Sequence, residues 1–227
     1  MNQSAGPPTL ERTLRSHRLN RAGVCAIAAL LGLHFTCGEI DNGDDGFCDY
    51  EYEIEIPGDS HSAGSGYTDR VKIAFPGQVN NEFAQDGTTT NDWLPGAGRI
   101  ERLGRIPRVV AILLGTNDAW RTQNTPDEVV ANLRRIIQYY FDLGACRIVL
   151  STPPPWPESE PGRAERLRNI ADAIHEFCLA RNDDIDCGPD LNRLLGPEHM
   201  MRVGGIHMNA LGHQLFAEEL IPLLEAQ

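Results

Sequence analysis

Apolar runs of strand length alternate along this chain with segments whose apolar residues recur at helical spacing. Residues 109–114 (VVAILL) and 147–150 (RIVL) are continuous apolar runs, typical of strands buried on both faces of a parallel sheet. Residues 52–56 (YEIEI) alternate between apolar and polar types and predict a first strand. A short strand is also predicted around Ile185.

The clearest helix start lies at Thr125, which has the features of an N-cap. Pro126 occupies the first helical position, and Glu128 completes a capping box. Gly144 is the predicted end of this helix. Its apolar face is predicted to consist of Val129, Val130, Leu133, Ile136, Ile137 and Tyr140. The other predicted helices cover residues 67–74, 163–180 and 209–224.

This alternation of strands and helices predicts an α/β fold with a parallel, doubly wound sheet. In such a fold the loops at the carboxyl ends of the strands form the functional site. Ser60, Gly87 and Asn117 fall at or just beyond such ends, and His207 precedes the last helix. We therefore expect these four residues to lie close together.

The N-terminal segment, residues 1–36, is predicted to be a targeting signal. An apolar run at 22–33 is too short to span a bilayer comfortably, and arginines precede it at positions 12, 15, 18 and 21. Export to the periplasm or the extracellular space is expected, and a start that is unprocessed or wrongly assigned is the alternative. Cys37 is a candidate lipid-anchor site, although LHFTC lacks the small residues of a lipobox. Residues 37–50 are predicted to be an acidic, Gly/Asp-rich linker, and residues 51–227 the folded domain.

A formal net charge of -12 argues against nucleic acid as a partner and against electrostatic docking on anionic lipid. The chain has six cysteines. In an exported protein Cys37–Cys48 and Cys178–Cys187 are natural local disulfide pairs, whereas Cys146 is expected to be a buried free thiol. No spacing resembles a zinc site, so neither a metal nor a cofactor is expected. The sequence does not predict the oligomeric state.

Four short motifs carry the candidate chemistry: GDS at 58–60, a DGT turn containing Gly87, GTND at 115–118 and GGIHMNALGH at 204–213. Each is common by itself, but their order and their placement after predicted strands are informative. The set resembles the SGNH (GDSL) hydrolase superfamily over residues 52–226. The resemblance implies a flavodoxin-like, three-layer α/β/α sandwich and hydrolysis of esters or thioesters without a metal.

The resemblance also implies a role for each motif residue. Ser60 would be the nucleophile, activated by His207 as the base. The backbone N–H groups of Ser60 and Gly87, with the side-chain amide of Asn117, would form the oxyanion hole. The alternatives are purely structural roles, in which Ser60 caps a helix, Gly87 lies in a turn and Asn117 caps a loop.

One position departs from the family pattern. The family usually has an aspartate three residues before the catalytic histidine, and here that position is Gly204. A Ser60–His207 dyad with a backbone carbonyl accepting the imidazole N–H is one explanation. Substitution by another carboxylate, for which Glu198 is the nearest candidate, is the second, and loss of activity is the third.

Two functions follow as hypotheses. The first is an exported serine esterase that acts on small acyl esters, because only 27 positions separate Ser60 from Gly87 and leave no room for an inserted lid. The second is a catalytically weak or inactive module that binds an acylated glycan or lipid. The tryptophans near the predicted site loops are candidates for an aryl or sugar subsite or for core packing: Trp93, Trp120 and Trp156.

Overall fold

Five parallel strands form the central sheet, in the order β2-β1-β3-β4-β5. The strands are β1 (Ile54–Glu55), β2 (Val79–Asn80), β3 (Val109–Leu113), β4 (Arg147–Thr152) and β5 (Asp186–Asp190). The computed structural model describes residues 54–64, 66–100, 107–181, 185–201 and 205–225. The proposed signal segment, the linker and Gly204 lie outside these residues.

The sheet is flanked by helices on both faces. The α-helices are α1 (Ser60–Ala63), α2 (Tyr67–Ala74), α3 (Pro126–Leu143), α4 (Pro161–Leu179), α5 (Leu191–Leu194) and α6 (Ala210–Glu225). Single 3₁₀ turns cover Thr90–Trp93 and Pro197–His199, and a π-helical turn covers Asp118–Thr122. In the described part of the chain no helix is both long and apolar enough to cross a membrane.

Strand β3 is buried along its whole length, as its apolar run predicts. Successive side chains of a strand point to opposite faces. Val110 and Ile112 accordingly pack in one core with helices α3 and α4, whereas Ala111 and Leu113 pack in a second core with α2 and α6. The two cores make the predicted three-layer α/β/α sandwich, with the doubly wound strand order of flavodoxin-like folds.

Helix α3 begins and ends where the sequence predicts. The Thr125 side chain accepts from the Glu128 N–H, Glu128 reaches back to the Thr125 N–H, and Gly144 ends the helix with a φ of 105°. The predicted apolar face is buried except at Val130, which is half-buried at the margin of the core.

A disulfide between Cys178 and Cys187 joins the last turn of α4 to β5. This confirms one of the predicted local pairs. The expectation for Cys146 was wrong, since this residue is half-buried and disulfide-bonded rather than a buried free thiol.

We predict that replacing both Cys178 and Cys187 by alanine lowers the free energy of unfolding by about 2.5 kcal/mol. The disulfide joins residues at a sequence separation of 9. Its removal raises the conformational entropy of the unfolded chain and so stabilises the unfolded state. Urea unfolding of the oxidised proteins measures the difference. Repeating the measurement in reductant is the control, because the two proteins should then differ much less. Equal midpoints under oxidising conditions would contradict the prediction.

Candidate active site

The carboxyl ends of β1 and β3 bring two of the sequence motifs together. Gly58, just after β1, forms an isolated parallel bridge with Leu113 at the end of β3. Gly58 also accepts hydrogen bonds through its carbonyl from the Gln85 N–H and the Thr88 hydroxyl. The loop containing Gly87 is thereby held against the turn that carries Ser60.

Ser60 and His207 meet across 147 positions of sequence. Ser60 Oγ lies 2.9 Å from His207 Nε2, which is hydrogen-bond distance. The His207 carbonyl accepts from the Met201 N–H at 2.8 Å, which holds the histidine loop in place before α6. Gly205 has a φ of +55° and lies against Pro157, where a Cβ would be 2.2 Å from Pro157 Cγ. This contact leaves room for no side chain at position 205.

The Asn117 side chain is buried and points between two neighbouring loops. Its Nδ2 donates to Asp59 Oδ2 at 3.2 Å and to the Thr88 carbonyl at 3.0 Å. Both amide protons therefore have partners inside the protein. To donate to a substrate oxygen, the Asn117 amide must break or share one of these hydrogen bonds, for example the one to the Thr88 carbonyl.

Gly87 lies beside these groups in a conformation that favours glycine, with a φ of +75°. A Cβ there would be 2.3 Å from Arg121 Nη1, and Arg121 donates to the Gly87 carbonyl at 2.8 Å. Within the described ranges no hydrogen bond uses the backbone N–H of Gly87 or of Ser60. These two donors are available to a ligand.

The structure does not bring Glu198 to His207. The Glu198 side chain is 67% exposed and its carboxylate lies 3.5 Å from His199 Nδ1. The Glu198 carbonyl is fixed by the Asn209 side chain, which donates to it at 2.6 Å. The 3₁₀ turn Pro197–His199 thus directs the carboxylate towards His199 and solvent.

Two buried carboxylates stabilise the loops around the site. Asp59 Oδ1 accepts from the His61 N–H at 3.0 Å. Asp118 accepts from the Thr90 N–H and hydroxyl and from the Asn124 side chain. Burial raises the pKa of Asp59 to about 7 despite the His61 N–H, and burial also raises the pKa of Asp118.

His61 directly follows Ser60 in the sequence, and no motif singles it out as a site residue. Its ring is buried and its centroid lies 5.4 Å from that of His207, with the two planes tilted by 53°. Burial and the neighbouring His207 and His213 lower the pKa of His61 to about 3, which the nearby Ile206 backbone opposes only weakly. His61 is therefore a neutral imidazole. The burial of this side chain has no local signal in the sequence.

An open cleft of about 430 Å³ lies next to Gly87 and has a largely polar lining. Its walls include Gln85, Asp86, Thr89, Asn91, Arg99 and Arg121. Of the three tryptophans, Trp93 is fully buried in the core, whereas Trp120 is 43% exposed and packs against the buried Trp156. The Arg163 guanidinium lies over both of those rings.

Among the residues that the structure describes, no group of three His, Cys, Asp or Glu side chains is arranged to hold a metal ion. The groups gathered at this edge of the sheet are instead a hydroxyl, an imidazole and N–H donors. Such a set is suited to acyl transfer, in which a base activates the hydroxyl and donors stabilise the oxyanion.

Comparisons with known proteins give a family match for most of the chain. A sequence model of the GDSL-like Lipase/Acylhydrolase family matches residues 45–215. A search of curated proteins finds no significant match.

Several solved structures are similar in fold. A lipase/acylhydrolase from Enterococcus faecalis is 25% identical with a TM-score of 0.63, and the match covers 76% of this chain and 95% of that chain. A catalytic mutant of an acetylxylan esterase from Geobacillus stearothermophilus is 20% identical with a TM-score of 0.61, covering 78% and 95%. A carbohydrate esterase family 3 protein from Talaromyces cellulolyticus is 15% identical with a TM-score of 0.63, covering 76% and 96%. Catalytic mutants of the Geobacillus esterase affect a serine, an aspartate and a histidine, and the aspartate stands three positions before the histidine.

We predict that Asp59→Asn changes how stability depends on pH. Between about pH 4 and 7 the folded protein retains a proton at Asp59 that the unfolded chain has lost, so this group's contribution to stability falls as pH rises through that window. The Asp59→Asn variant has no ionisable group at this position, so it does not lose this stability as pH rises. Its free energy of unfolding, relative to the wild type, should rise by up to about 1.4 kcal/mol per pH unit across the window. Urea unfolding at a series of pH values measures it, and parallel curves would contradict the prediction.

Proposed function

Because the chain belongs to the GDSL-like lipase/acylhydrolase family and is a carboxylic ester hydrolase, we propose that it hydrolyses small acyl esters through an acyl-enzyme on Ser60. The family match confirms the resemblance to SGNH hydrolases. The observation that carries the proposal is the 2.9 Å contact between Ser60 Oγ and His207 Nε2. A base within hydrogen-bond reach of a hydroxyl is the arrangement that makes serine nucleophilic.

The proposed reaction has two halves. Ser60 Oγ attacks the ester carbonyl carbon while its proton moves to His207 Nε2. The tetrahedral intermediate collapses as the bond to the alcohol breaks, and His207 returns the proton to the departing oxygen. Water, deprotonated by His207, then attacks the acyl-enzyme. The bond to Ser60 Oγ breaks, His207 returns the proton to Oγ, and the acid is released.

The backbone N–H groups of Ser60 and Gly87 are proposed to stabilise the negative charge on the carbonyl oxygen. In the described residues neither N–H makes a hydrogen bond within the protein. The Asn117 amide would be the third donor. It would exchange its contact with the Thr88 carbonyl for the oxyanion and keep its bond to Asp59. Charge that develops only in the transition state favours this exchange.

We propose that the acyl group is acetyl or another short chain and that the alcohol is rich in hydroxyl groups. Several solved structures with this fold are esterases of acetylated carbohydrate by name. In this chain, the cleft beside Gly87 has polar walls. The partly exposed Trp120 ring is a second surface on which a sugar ring can stack.

We further propose that Ser60 and His207 work without a carboxylate at the usual position. The Geobacillus esterase carries its catalytic aspartate three residues before the histidine, and the corresponding residue here is Gly204. In the described structure the Glu198 carboxylate forms its ion pair with His199 and none with His207. The protein is proposed to be exported, on the basis of the basic and apolar segments within residues 1–36.

We predict that the purified protein hydrolyses p-nitrophenyl acetate and butyrate and that Ser60→Ala abolishes this activity. Loss of the hydroxyl removes the atom that accepts the acyl group. Rates on a nitrophenyl ester series should fall as the acyl chain lengthens. Ser159→Ala, a serine in the loop before α4, is the matched control. Absence of turnover in the wild type would favour the alternative, a module that binds an acylated glycan or lipid.

We predict that Glu198→Ala changes kcat by less than about twofold, because an exposed carboxylate directed at His199 has little influence on the reaction. Gly204→Asp should leave activity unchanged or raise it, since the family places its acid there. Initial-rate kinetics on p-nitrophenyl acetate measure both variants. A large loss of kcat in Glu198→Ala would mean that Glu198 orients His207 after all.

A further inference from the structure

A buried imidazole stands beside Ser60 and His207 without a part in the reaction outlined above. His61 is 2% exposed, and its ring interacts with the Ile206 backbone, but neither ring nitrogen makes a hydrogen bond of good geometry in the described structure. A neutral imidazole carries one donor and one acceptor, and leaving such groups unpaired in the interior costs free energy. A less costly apolar side chain would fill the same space. The position of His61 therefore points to a role.

The Nδ1 atom of His207 takes no part in the contact with Ser60. His207 meets Ser60 through Nε2, and within the described residues no carboxylate or carbonyl is hydrogen-bonded to Nδ1. In a complete triad the acid accepts the Nδ1 proton, fixes the tautomer and stabilises the imidazolium. The centroids of the His61 and His207 rings lie 5.4 Å apart. A hydrogen bond of about 3 Å between the two rings requires each ring to turn one nitrogen towards the other.

We propose that His61 is a positioning residue that takes over part of the role of the absent acid. Its neutral imidazole packs against His207 and presents a lone pair to the Nδ1 proton. When the Ser60 O–H bond breaks, the proton moves to His207 Nε2 and His61 accepts a hydrogen bond without accepting a proton. This inference rests on the proposed function of Ser60 and His207.

The charges around His61 suit this role. His207 faces it from the loop before α6 and His213 interacts with it from α6 itself. On its own element, the Asp59 carboxylate accepts the His61 backbone N–H rather than its ring. Burial is the main reason why the pKa of His61 is low, so the ring keeps its lone pair over the whole range in which the protein would be assayed.

The test compares His61→Leu with His61→Gln. In His61→Leu, kcat for p-nitrophenyl acetate should fall roughly tenfold to a hundredfold while KM stays within about twofold. The loss is smaller than the roughly 10⁴ caused by removing a triad carboxylate, because a neutral acceptor stabilises an imidazolium less than an anion does. In the same variant the acidic limb of the kcat–pH profile should move to lower pH. In His61→Gln the side-chain oxygen can accept a hydrogen bond from the Nδ1–H of His207, and most of kcat should return.

Tyr67→Phe is the matched control. It removes a buried hydrogen bond to Ser62 Oγ, 2.7 Å long, in the same cluster of side chains but not at His207. This variant should lose thermal stability and keep kcat. If His61→Leu lowers kcat no more than Tyr67→Phe does, or if His61→Gln is as slow as His61→Leu, the proposal is overturned.

A second readout does not depend on turnover. NMR of the protein labelled with ¹⁵N-histidine reports which ring nitrogen of His207 carries the proton. We expect the Nδ1–H tautomer in the wild type and a mixture of tautomers in His61→Leu; the same tautomer in both would overturn the inference. A wild type that hydrolyses no ester would contradict the proposed function. The NMR comparison would still test whether His61 sets the tautomer of His207.

Discussion

The buried amide of Asn117 is the interaction on which the geometry of the site depends. One side-chain nitrogen, held at the end of β3, donates to Asp59 in the serine turn and to the Thr88 carbonyl in the glycine turn. Three loops that follow different strands are thereby fixed to a single point. Leaving either acceptor unpaired in the interior would cost about 1–3 kcal/mol, so these contacts set the positions of the loops. The loop before α6 brings the fourth residue, His207, to Ser60.

The fold and the proximity of Ser60 and His207 could be predicted because they depend on local patterns and on the topology of parallel sheets. The apolar run of β3, the capping box at Thr125 and the glycine at 144 each have a local physical cause, and each is found where expected. The meeting of Ser60 and His207 follows from a general property of parallel sheets, since loops at the carboxyl ends of strands lie at one edge.

What could not be predicted depends on tertiary packing. No local pattern indicates the environment of His61, because the neighbouring His207 ring comes from a loop nearly 150 residues away. The engagement of both Asn117 protons and the burial of Trp93 likewise depend on tertiary contacts. A motif specifies which side chains are present, whereas their partners are decided by the assembled loops.

The central claim is that His207 activates Ser60 for attack on an acyl group. The most direct measurement is covalent labelling by a fluorophosphonate, with the modified peptide identified by mass spectrometry. The structure predicts stoichiometric modification of Ser60 in the wild type and at least a hundredfold slower labelling in His207→Ala, because the hydroxyl would lose its base. No labelling of Ser60, or equal rates in the two proteins, would contradict the account.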